Sequence, residues 1–216
     1  MNQVKSTILR RGRPSEAHSA SSLPDFWEKS HSEKNSLWLT GSRPKEVIHR
    51  LDVVKEMENP EATILDVGVG LGFMAQYLFK KGRSSWALDI SPSALERVKP
   101  FVKETFISSD ALPNGTFSLV MHHLVAQHMN DKDLSHQIRQ LIRSLSKDGL
   151  VAMQFASLLN SMDGTSEQSV ALQAGGGAVR SPAQMEKLVL GAGGRVLEIS
   201  PREIFAHSQY WVIKFQ

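Results

Sequence analysis

Short apolar runs alternate with amphipathic segments along most of this chain, an order that predicts a parallel sheet with crossover helices. Val47, Leu51, Val54 and Met57 recur at helical spacing, so a helix is expected from Pro44 to Met57, with Ser42 as its cap and Asn59-Pro60 as its stop. Ala62–Val67 reads as a buried strand, followed by a helix from Phe73 to Lys81 that Gly82 closes. Ser85–Ile90 is a second strand and Pro92–Val98 a second crossover helix. Thr105–Ser108 and Phe117–His122 read as strands three and four. Asp131–Leu145 follows as a helix with Leu134, Ile138, Leu141, Ile142 and Leu145 inward, and Leu150–Phe155 as a fifth strand.

Beyond Phe155 the pattern changes. Residues 157–180 are polar and hold Gly175-Gly176-Gly177, too glycine-rich to pack tightly, and are expected to act as a lid. Ser181-Pro182 opens a helix ending near Gly191. Arg195–Ile199 and Tyr210–Phe215 are the last strands, and the roughly ten residues between them are too few for a parallel crossover, so they should pair antiparallel. No internal repeat is visible.

Composition narrows the class. With 216 residues, 41% of them hydrophobic, the chain holds one full α/β core and a short appendage. No apolar run reaches the roughly 18–20 residues of a membrane span. The absence of cysteine excludes disulfides, thiolate metal sites and a cysteine nucleophile, and permits a cytoplasmic location. The formal charge of +3 sits in residues 1–20, where Lys5, Arg10, Arg11 and Arg13 face Glu16 alone. The body is neutral, which argues against a nucleic-acid partner. Residues 1–25 are expected to form a flexible basic tail, with an organelle-targeting peptide as the alternative. Residues 26–216 form the domain, and 26–43 are an aromatic cap segment.

The chemistry gathers at three strand ends. The first strand runs into Asp66-Val67-Gly68-Val69-Gly70-Leu71-Gly72, where glycines let a ligand approach the backbone and the next helix offers free N–H groups. Asp89, with Ile90 beside it, ends the second strand 21 residues after Gly68, where an acid accepts from ribose hydroxyls. Asp110 follows the third strand, placed to accept from an adenine amino group. Singly, the glycines make a tight turn, Asp89 a helix cap and Asp110 a turn residue. Together they describe one nucleoside site.

On these residues, and on the stretch FSLVMHHLVAQHM at 117–129, the chain from about residue 44 to 216 resembles the class I S-adenosylmethionine-dependent methyltransferases. Ser118 stands where that family usually has an aspartate. The resemblance implies a Rossmann-like three-layer α/β sandwich whose seven-stranded, mostly parallel sheet has the order 3-2-1-4-5-7-6, with strand 7 antiparallel. It implies S-adenosylmethionine as cofactor, with Asp89 on the ribose, Asp110 and Ala111 on the adenine, and residues near His122 beside the methionine end. A nicotinamide dehydrogenase is the rival, because Gly70-x-Gly72-x-x-Ala75 satisfies the looser dinucleotide string. Asp66 before the first glycine, Asp110, and the closing strand pair favour the methyl donor. A protein that binds the cofactor without catalysis stays open.

Substrate class is read from what the strand ends carry. Met121-His122-His123-Leu124 is not the N/D-P-P-Y/F motif of base amino-methylating enzymes, and cytosine C5 chemistry needs a cysteine. An RNA or protein substrate is kept as an alternative. Met153-Gln154-Phe155-Ala156 offers no carboxylate, and Asp131 and Asp133 read as caps, so no catalytic metal is expected. His123 and His128 are the candidate bases, His128 also reading as a packing residue, and His122 supplies backbone to the cofactor pocket. His31 and His207 are placed near the mouth. Trp38 is the candidate substrate contact, and Trp27 and Trp38 alternatively pin the N-terminal segment to the core. The expected activity is metal-independent methylation of O or N on a small molecule or glycan-type unit, by a monomer or homodimer.

Overall fold

The computed structural model describes residues 23–32, 43–108, 110–158, 178–205 and 208–216. Its helices are α1 (Leu23–Ser32), α2 (Pro44–Leu51), α3 (Val54–Glu58), α4 (Phe73–Lys80), α5 (Pro92–Val98), α6 (Asp131–Ser144) and α7 (Pro182–Gly191). The strands are β1 (Ile64–Val67), β2 (Ser85–Asp89), β3 (Glu104–Ile107), β4 (Phe117–His122), β5 (Leu145–Leu158), β6 (Val196–Phe205) and β7 (Ser208–Phe215). They form one seven-stranded sheet in the order β3-β2-β1-β4-β5-β7-β6, as the resemblance implies. β3, β2, β1, β4 and β5 run parallel, and β7 is antiparallel to both β5 and β6.

Alternation along the central strands divides the core into two layers. Leu65, Val67, Val120, Val151, Met153 and Phe155 face α6 and α7, packing on Leu134, Ile138, Leu141, Met185 and Val189. Ile64, Leu119, Met121 and Ala152 face the other way onto Val47, Ile48 and Leu51 of α2 and Met74 and Leu78 of α4. Ala87 meets Ala75 of α4 and Ala94, Leu95 and Val98 of α5 on that second side. Among the described residues no helix is long and apolar enough to cross a membrane.

Several elements depart from the expected boundaries, β5 among them: it begins at Leu145, expected inside the preceding helix, and runs on to Leu158. The single helix expected over 44–57 breaks at Asp52, whose φ of 54° is left-handed. Asp52 there accepts from Lys214 of β7 and Arg202 of β6, and Lys214 foremost holds its carboxyl below the ordinary range. The break also buries Val53 completely. The long connection expected between the last two strands shrinks to residues 206 and 207, because β6 continues through Pro201 to Phe205. Pro201 is tolerated because β6 is the sheet's outer strand, where a missing N–H need not complete a ladder, and register shifts flank it. The α7 start matches expectation: Ser181 caps Gln184 N, Gln184 returns the bond to Ser181 N, and Pro182 fills the first turn.

Candidate functional site

The site lies along the carboxyl edge of β1, β2 and β4. Gly68, Gly70 and Gly72 of the turn after β1 all have positive φ (74°, 54° and 78°), which L side chains adopt at a cost. Their surroundings differ. A Cβ on Gly68 would stand 2.2 Å from Val125 Cγ2 and one on Gly72 2.5 Å from Val98 Cγ1, so these two glycines let the turn pack. A Cβ on Gly70 would meet only Gly68 O, at 3.9 Å. Gly70 therefore faces open space, where a ligand can reach the backbone.

Two carboxyls are buried beside that turn. Asp89 is 5% exposed, and its oxygens accept from Ser91 N (2.9 Å) and Gly70 N (3.2 Å). Burial raises its pKa against those bonds. Ser91, not Asp89, caps α5 by accepting from Ala94 N, so Asp89 remains free to accept from a ligand. Asp66 is buried, with no hydrogen bond to its carboxyl found among the described residues. Burial first, and the charge of Asp89 second, push its pKa up to about 7. Two neighbouring buried acids, one of them partly offset by His31, form a site that favours a positively charged ligand. S-adenosylmethionine, which carries a sulfonium and an ammonium, fits that donor set and the open face of Gly70.

At the end of β4 the chain turns through Leu124, a non-glycine residue with φ of 58° that nothing in the local sequence announces. His122 points into the sheet's α6 side, its Nε2 2.8 Å from Gln137 Oε1, and burial lowers its pKa to about 4. His123 leaves on the opposite side. Burial, then the positive charge of Arg50, then His122 lower it to about 3, and its Nε2 has no partner among the described residues. His128 is lowered to about 4 by burial and packs edge-on against Trp27, ring centroids 4.8 Å apart. All three imidazoles are thus neutral near pH 7.

Asp110 is exposed, and its carboxyl accepts from Ile107 N (2.9 Å) within its own turn; Ala111 beside it is also exposed. Ile90 follows Asp89 half-buried. Trp38 and His207 lie outside the described residues, as does residues 159–177 of the expected lid. The end of that stretch is packed: Val179 bridges to Ala156, and Arg180 is 4% exposed. Arg180 donates to Asp131 Oδ1 (2.8 Å), Ala126 O (2.9 Å) and Met129 O (2.6 Å), clamping the loop that carries His128.

Sequence reading passed over several residues here. Gln154 is buried one position beyond the His122–Met153 pair, on the same sheet side as His123, and its Oε1 has no partner among the described residues. Gln127, next to His128, also has a buried Oε1 without a partner among the described residues. A buried glutamine in a strand was the available signal, since such amides are costly unless something bonds them. Glu28 and Arg97, which tie α1 to this edge, had no such signal because their partners are more than 60 residues away in sequence.

A family model described as methyltransferase domain matches residues 65–153, from β1 into β5. A Burkholderia thailandensis 1,6-didemethyltoxoflavin-N1-methyltransferase, solved with that compound and S-adenosylhomocysteine, superposes with a TM-score of 0.65 at 14% identity, covering 94% of this chain and 90% of that one. A TehB-like S-adenosylmethionine-dependent methyltransferase from Corynebacterium glutamicum gives 0.58 at 17% identity, covering 94% and 98%. A Leishmania major S-adenosylmethionine-dependent methyltransferase gives 0.59 at 18%, covering 78% and 73%. No curated protein sequence matches the chain.

Proposed function

We propose that this chain is a class I Rossmann-like S-adenosylmethionine-dependent methyltransferase and that it methylates nitrogen, or an acidified oxygen, of a small polar molecule without a metal. The observation that carries this reading is a set of buried polar atoms without partners among the described residues: His123 Nε2 just after β4, Gln154 Oε1 within β5 and Gln127 Oε1 in the turn that follows His123. Buried polar groups without partners are costly, so such a set suits a small acceptor that bonds them. The match to a methyltransferase domain supports this reading over the nicotinamide alternative.

When bound, the cofactor supplies a methyl group made electrophilic by its positive sulfur. The chain's own part is to hold and orient. Asp66 and Asp89 offer negative charge beside the glycine turn, and Gly70 offers close backbone approach. His123 offers the acceptor one neutral ring nitrogen. A base held at about 3 does not take a proton from an alkyl hydroxyl at neutral pH, which favours a nitrogen with a free lone pair over a sugar hydroxyl. Positioning then provides most of the rate. The likeness to a neighbour named for N1-methylation of 1,6-didemethyltoxoflavin is in keeping with such an acceptor. The strand ends beside His123 carry His and Gln rather than carboxylates, which supports transfer without a metal. Residence in the cytoplasm and a monomeric or homodimeric state belong to the same proposal.

The test is transfer of labelled methyl from S-adenosylmethionine into fractionated cell extract, with EDTA present. Label in small nitrogen heterocycles or amines is the expected result. Label confined to RNA or protein, or turnover that EDTA abolishes and magnesium restores, would refute it.

A further inference from the structure

Helix α1 spans the carboxyl edge and is tied down on both sides of the glycine turn. On the β2 side, the Glu28 carboxylate accepts from Ser91 Oγ (2.6 Å), Ser93 N (3.1 Å) and Ser93 Oγ (2.5 Å) at the start of α5. Arg97 of α5 donates to His31 O (2.9 Å) and to Gly70 O (3.1 Å), so one guanidinium joins α1 to the glycine turn itself. On the β4 side, Trp27 rests against His128. His31 is 3% exposed and lies close enough to Asp89 for the two to interact electrostatically. The helix therefore crosses above Asp89, Gly70 and the end of β4, the groups that the cofactor reading assigns to the donor site.

We infer that α1 is a lid over the cofactor, latched by Glu28 and Arg97, and that it must unlatch to admit S-adenosylmethionine and release S-adenosylhomocysteine. The inference rests on the cofactor occupying the Asp66–Asp89 site. Its latch suits repeated opening. The bonds made by Glu28 come from a half-buried carboxylate and are few, so they break at modest cost and reform quickly. The apolar part of the closure includes Trp27 against His128, ring centroids 4.8 Å apart. A lid held mainly by bonds to α5 sets the rate of cofactor exchange more than its affinity, because opening precedes both uptake and release.

Stopped-flow exchange of S-adenosylhomocysteine on the full chain tests this, the lid's share of the tryptophan fluorescence change being identified by its loss in Trp27→Phe, since the chain has four tryptophans. Glu28→Ala should raise the association and dissociation rates together, by about 10-fold, and change Kd far less. The chain has no cysteine, so Glu28→Cys with Ser93→Cys gives a unique pair for a cleavable bis-maleimide bridge. Bridging should slow exchange at least about 10-fold, and cleavage should restore it. Unchanged rates at normal affinity in both variants would overturn the lid while leaving the cofactor reading intact. A fall in melting temperature without any change in exchange would likewise mark Glu28 as structural only. If neither the wild type nor the variants bind S-adenosylhomocysteine, the cofactor reading fails and the lid fails with it.

Discussion

Replacing Asp66 by Asn should make the ligand-free protein more stable at alkaline pH. Burial first, and the neighbouring Asp89 second, move the Asp66 carboxyl from 3.8 to about 7. Between those values the folded state keeps a proton that the unfolded chain releases, so stability falls as pH rises through the window. Above pH 7 the full penalty is present, at most about 4 kcal/mol for a displacement of this size. Asp66→Asn removes the titration and keeps the shape. Its advantage over the wild type should therefore grow by about 2–3 kcal/mol from pH 5 to pH 8, or about 5–10 °C in Tm for a chain of this length. Calorimetry or dye-based melting of both proteins at the two pH values measures it. S-adenosylmethionine, a cation, should return more stability to the wild type than to the variant at pH 8. An equal Tm gap at pH 5 and pH 8, or a variant less stable than wild type at pH 8, would show that the ionised carboxylate is already compensated in the fold.

Asp89→Asn should weaken S-adenosylhomocysteine binding by roughly 1.5–3 kcal/mol in calorimetry, because a charged acceptor becomes a neutral one. It should also lower Tm slightly, because Gly70 N and Ser91 N lose a charged partner. Gly68→Ala and Gly70→Ala should separate packing from binding. The first drives a methyl into Val125 and should lower Tm by several degrees. The second adds mainly backbone strain of roughly 1–2 kcal/mol, yet should lose the greater share of cofactor affinity. His123→Ala should keep cofactor affinity and reduce turnover, by about 10²-fold or more for a hydroxyl acceptor and much less for an amine. With its ring held at about 3, the rate profile should show no fall assignable to His123 between pH 5 and 7. A limb near pH 6.5 that the variant lacks would show that the bound state restores the ordinary basicity of the ring.

Much of this protein was legible along the chain because the deciding interactions are local or periodic. The glycine turn at 66–72 and the acid at 89 are set by spacing, and the β/α alternation by the period at which apolar side chains reach a core. Ser181-Pro182 as a helix start rests on bonds within one turn. The tertiary structure decided what depends on distant partners. Asp52 breaks the helix expected over 44–57 because Lys214 and Arg202, more than 140 residues away, meet it at the sheet's outer side. The closing strands extend past Pro201 because β6 lies outermost, a position in the sheet and not a property of the local residues. Arg180 sits at the end of a glycine-rich stretch expected to be loose, yet three acceptors around the β4–α6 loop bury it. Protonation follows the same rule. An aspartate and three histidines have ordinary basicity as letters in a chain; only packing removes the water that stabilises their charged forms, pushing Asp66 up to about 7 and His122, His123 and His128 down to about 4, 3 and 4.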